Sequence, residues 1–90
     1  MSTKQKKKQS VPKWFTGMIY ENGETVTNPF SGETYDLNGV ELSMYDFIMG
    51  SQHVMEVAPK TVTSKQINEF HKALRWFQQN NIDAYMVLLD

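Results

Sequence analysis

The chain has 90 residues, nine basic and ten acidic side chains and a formal charge of −1, which leaves room for one small domain. It has no cysteine, so disulfides, thiolate chemistry and cysteine-based zinc sites are excluded. No apolar run approaches the ~20 residues that cross a bilayer.

The first 13 residues carry Lys4, Lys6, Lys7, Lys8 and Lys13, no acid and little that is apolar. Such a stretch cannot bury enough surface to order itself. We expect a disordered basic tail over residues 1–12 and a single small domain over 13–90. No apolar segment follows the lysines, so they do not form a secretory signal.

Trp14-Phe15-Thr16-Gly17-Met18-Ile19-Tyr20 reads as a strand, and Thr25-Val26-Thr27 as a second. Asn22-Gly23 between them is a strong hairpin signal, because a type I′ turn needs positive φ at both central residues. That register would pair Glu21 with Glu24, Tyr20 with Thr25 and Ile19 with Val26. The face bearing Met18 and Tyr20 carries more apolar bulk and is expected to pack on the helices. Asn28-Pro29-Phe30-Ser31-Gly32-Glu33 is turn chemistry throughout. Thr34-Tyr35-Asp36-Leu37 after it makes the unit either a hairpin or a three-stranded antiparallel meander.

Asn38 with Glu41 three residues on reads as a capping box, opening a helix that runs to about Val57. Ala58-Pro59-Lys60 stops it. Small residues in its middle, Gly50 and Ser51, point to a close contact with another element. Thr63 and Gln66 form a second capping box. Behind it, Ile67, Phe70, Leu74 and Phe77 make an apolar stripe, with Lys65, Glu69, Lys72, Arg75 and Gln79 on the other face. That helix ends near Gln79-Asn80-Asn81. The apolar run Ala84–Leu89 suits either a short helix or a strand; Asn81 and Asp83 before it favour the helix. The fold class is α+β: an N-terminal antiparallel hairpin or meander packed on two main helices.

Chemistry finds little support. His53 and Glu56 share a helical face, but His71 is the one other histidine, and no pair has zinc spacing. There is no phosphate-cradling glycine loop and no serine in a nucleophile elbow. We therefore expect no enzyme, no catalytic residue, no metal and no cofactor. Charge, by contrast, is segregated. Residues 14–59 contain no Lys or Arg and seven acids, among them Glu21, Glu24, Glu33 and Asp36 on the expected sheet. Different surfaces of this chain then suit different partners. A partner protein could dock on those four acids, or on Trp76, which the stripe turns toward solvent beside Arg75. Lys4, Lys6, Lys7, Lys8 and Lys13 could hold phosphates weakly and in a salt-sensitive way.

The stretches Asn28–Tyr35, Glu41–Asp46 and Ala84–Asp90 carry a resemblance. In them the chain resembles small uncharacterised proteins encoded by tailed phages of marine cyanobacteria (cyanophages). The resemblance implies a context, not an activity: a phage protein in the cytoplasm of an infected cell. The expected function is a non-enzymatic interaction protein binding a host or phage protein during infection. A minor virion component, or a weak nucleic-acid binder acting through the tail, are the alternatives.

Overall fold

A computed structural model of the protein describes residues 9–89. Along the chain run strand β1 (Glu24–Thr27), strand β2 (Thr34–Leu37), helix α1 (Gly39–Val57), a 3-10 turn at Pro59–Thr61, helix α2 (Ser64–Asn80) and helix α3 (Ile82–Leu88). The class is α+β as expected, with two main helices and one short one.

The hairpin exists, but not where Asn22-Gly23 would put it. Strands β1 and β2 pair antiparallel, with Thr25 opposite Asp36 and Val26 opposite Tyr35. The turn is the stretch 28–33. The Asn28 N–H donates to the Glu33 carbonyl and the Gly32 N–H to the Asn28 carbonyl, both at 2.8 Å. Asn28 Oδ1 accepts from the N–H groups of Phe30 and Ser31. Gly32 takes φ +81°, the one positive φ among the described residues. The expected pairing of Glu21 with Glu24, and a third strand at Trp14–Tyr20, are therefore corrected: the described residues form a two-stranded sheet.

The reason lies in what the earlier segment touches. The Tyr20 N–H donates to Ser43 Oγ at 2.8 Å, and Ser43 in turn donates to the Gly39 carbonyl. A backbone donor held by a helix side chain cannot serve a strand ladder. Gly23 is pressed so closely on β2 that a Cβ there would stand 1.7 Å from the Leu37 carbonyl oxygen. Its glycine answers a close approach of two backbones, not a turn dihedral. The segment also has no single inward strand face: Trp14 and Tyr20 pack partly on the core from one expected face and Phe15 from the other. Phe15 is buried in the core, whereas Met18 and Ile19 are 66% and 61% exposed.

Both capping boxes form as read. Asn38 accepts from the Glu41 N–H while Glu41 accepts from the Asn38 N–H, and Thr63 and Gln66 do the same for α2. α3 is a helix because Asn81 Oδ1 accepts the Ala84 N–H, giving its first turn a partner. Phe77, Met44 and Ile48 are fully buried at the centre of the core, where α1 meets α2. α3 covers α2 and β2, contributing Ala84 and Leu88 to that core. Asn28 Nδ2 donates to the Val87 carbonyl and so ties the hairpin turn to the end of α3. The buried stripe of α2 is Glu69, Phe70, Ala73 and Phe77, shifted from the expected one; Ile67 is 40% exposed. Glu69 thus leaves the outer face assigned to it. Ala73, four residues on along the same stripe, is fully buried.

Glu41 ties distant parts of the chain together. Its carboxylate accepts from the Asn38 N–H, from Asn81 Nδ2 and from Gln9 Nε2, each at 2.9–3.0 Å. Gln9 also accepts from Asn38 Nδ2. Residues 9–12, expected in the disordered tail, therefore lie against the domain, with Val11 packed on the core. Lys4, Lys6, Lys7 and Lys8 lie outside the described residues.

Candidate functional site

Two concave surfaces flank the chain where it passes Trp14–Met18. The first is a cleft of about 400 Å³ between this segment, the second half of α1 and the start of α2. Phe47 lines one end of it, its ring edge to face with Phe15, centroids 5.3 Å apart. Gly17 sits so close that a Cβ would stand 2.7 Å from Phe15 Cζ. Met18, which follows, is 66% exposed on the rim. Val54 and Met55 of α1 and Val62 before α2 complete an apolar lining. Gly50 opens the cleft: a Cβ there would meet nothing within 4 Å. At Gly50 the expected close contact with another element is therefore absent, and the small residue makes space instead.

Two carboxylates, Asp46 and Glu69, face this lining, and among the described residues no Lys, Arg or His does. Glu69 is 9% exposed and accepts no hydrogen bond from a described side chain. Asp46 has a second neighbour on its other side, Tyr20. The Tyr20 hydroxyl is held above its ordinary value near 10, first by burial, then by the Asp46 carboxylate and by Glu24. Burial alone raises Tyr45. A cleft of this size, apolar with a few converging polar groups, has the form of a ligand or peptide site.

The second surface is a groove of about 620 Å³ around Trp14, lined by Lys13, Lys65 and Lys72 with Glu69 at the wall it shares with the cleft. The Lys72 ammonium lies 6.0 Å from the centre of the Trp14 ring. Phe15 and Phe47 hold that indole edge-on, each with its centroid 6.2 Å away.

The acids expected to form one docking face are dispersed. Glu24 lies on the sheet face of Val26 and Tyr35, and Asp36 on the opposite one, where it accepts from Thr25 Oγ1. Glu33 closes the turn at the far end of the hairpin. The Glu21 backbone is pressed against Gly39 at the start of α1. Trp76 is half-buried, edge-on to Phe77, with Arg75 exposed beside it. Sequence reading missed Asp46, Glu69, Val54 and the convergence of Lys13 with Lys65 and Lys72. It also missed Phe30, which stands 96% exposed on the structured turn. Ala73, four residues after Glu69, was the available signal that Glu69 turns inward. His53, Glu56 and His71 make no metal cluster; none is found among the described residues.

Among those residues no helix is long and apolar enough to cross a membrane. Comparison with protein-family models, with curated proteins and with solved structures finds no match to this chain.

Proposed function

We propose that the chain is a non-enzymatic interaction module of a cyanobacterial phage, binding a host or phage protein during infection. The cleft between Met18, α1 and α2 is its docking surface. The observation that carries this reading is the pairing of an exposed apolar lining with two carboxylates, Asp46 and Glu69, and no cation among the described residues that line it. Charge complementarity then selects the occupant: a segment of the partner that presents an apolar side chain next to a Lys or Arg. The apolar side chain would fill the space over Val54 and Met55, and the cation would meet Asp46 and Glu69. The phage context comes from the resemblance alone.

The test is crosslinked affinity capture with the full chain from infected-cell lysate, followed by titration of the purified, identified partner. Val54 is 40% exposed, so Val54→Glu leaves the fold intact and places a charge in the cleft. We expect that change to weaken binding about tenfold or more, the scale of a central contact residue. If Val54→Glu binds like wild type and Arg75→Glu does not, the interface is the Trp76 face and the cleft reading fails.

A further inference from the structure

The groove around Trp14 is opposite in charge to the docking cleft and calls for a different partner. Its three ammonium groups come from two stretches far apart in sequence, Lys13 before β1 and Lys65 and Lys72 on α2. All three are exposed. Lys65 and Lys72 are seven residues apart on one helical face, roughly 10 Å along the axis. Arg75, one turn beyond Lys72 and also exposed, continues the same line. Glu69 is the single carboxylate among the described residues of the lining, and it is turned into the shared wall. Four more lysines precede Gln9 in the chain.

We propose that this groove binds single-stranded nucleic acid, with phosphates at Lys13, Lys65 and Lys72 and a base against the Trp14 ring. Cations alone would suit any polyanion. An indole beside the Lys72 ammonium, in a groove also lined by Lys13 and Lys65, adds what a base needs, a flat aromatic surface next to the charges that hold its backbone. The rigid edge-on packing of Trp14 against Phe15 and Phe47 keeps that surface in place. An anionic lipid surface would instead require apolar side chains standing out from the groove, and its lining offers the half-buried Trp14 alone. The lysines before Gln9 add affinity; the groove adds the stacking contact.

The chain has two tryptophans, so the full-length Trp76→Phe protein reports on Trp14 alone. It is titrated with oligo-dT of about 20 nucleotides across a salt series, following indole emission. We expect emission to be quenched and affinity to fall with salt. Changing Lys13, Lys65 and Lys72 together to Gln should lower the salt slope by about two, since each phosphate contact on a single strand accounts for ~0.7. At about 0.1 M salt the same change should weaken binding roughly a hundredfold. The three side chains are exposed, and unchanged circular dichroism checks that the variant folds. An unchanged slope in the folded triple variant would assign binding to the first eight residues and overturn the proposal. Binding without quenching would overturn it too, as would quenching by phosphatidylserine vesicles but not by the oligonucleotide.

Discussion

Gly23 and Gly32 are required for different reasons, and substitution separates them. At Gly32 the φ of +81° excludes ordinary L side chains by conformation, yet a Cβ would meet nothing within 4 Å. Gly32→Ala should cost the left-handed penalty of roughly 1–2 kcal/mol. Gly32→Asn should cost a fraction of that, because asparagine enters this region by bonding locally. At Gly23 a Cβ would collide with the Leu37 carbonyl oxygen at 1.7 Å and with Asn38 Cα at 2.7 Å. Both are backbone atoms next to the first turn of α1, and neither can swing aside. Residues 20–23 must lift away, releasing the Tyr20 N–H from Ser43, a bond worth about 1 kcal/mol net. Overpacking adds about 1–3 kcal/mol, so Gly23→Ala should cost about 2–4 kcal/mol. A domain of this size has a total stability of about 4–12 kcal/mol. Thermal melts followed by circular dichroism should therefore show Gly23→Ala and Gly23→Asn falling together by about 10–20 °C, with Gly32→Ala falling about half as far. If Gly23→Asn melts close to wild type while Gly23→Ala does not, the requirement at Gly23 is a turn dihedral. The close-approach argument would then be wrong.

Other consequences follow from the same contacts. Phe77→Ala empties a fully buried site at the α1–α2 contact and should cost about 3–5 kcal/mol in chemical denaturation, leaving a marginal domain. Thr63→Ala removes one half of the α2 capping box and should cost about 1 kcal/mol by the same measurement. The raised Tyr20 and Tyr45 hydroxyls give the fold a stability that is complete below their unfolded value near 10 and lost as pH climbs through the higher folded values. Melting points taken from pH 9 upward should therefore decline, and Tyr20→Phe should flatten the part of that decline due to Tyr20. A decline of the same steepness in Tyr20→Phe would dismiss Tyr20 as a source of it.

What could be read from the sequence follows the range of the interactions. Each capping box closes between residues three apart, so Asn38 with Glu41 and Thr63 with Gln66 are visible in a short window. The hairpin was legible as composition but not as pairing. Asn22-Gly23 and Asn28–Glu33 both carry turn residues, and the choice between them is made by Ser43, over 20 positions away, taking the Tyr20 N–H. The buried side of α2 is Glu69, Phe70, Ala73 and Phe77, and which side turns inward is decided by the elements packed around the helix rather than by its own residues. The two candidate surfaces were illegible for the same reason. Asp46 and Glu69, or Lys13 and Lys72, share nothing locally, and only the path of residues 13–18 across both helices brings them together.

The Glu41 carboxylate has a kinetic meaning as well. It joins Gln9, the start of α1 and the α2–α3 junction, across separations of 32 and 40 residues. The capping boxes and the β1–β2 turn assemble from neighbours, whereas these bonds wait until both ends of the chain are in position. Interactions made after the barrier slow escape from the native state without speeding arrival. Glu41 is thus a latch: weakening it by Glu41→Gln should shorten the lifetime of the folded domain and leave the rate at which the chain first collapses into it nearly untouched.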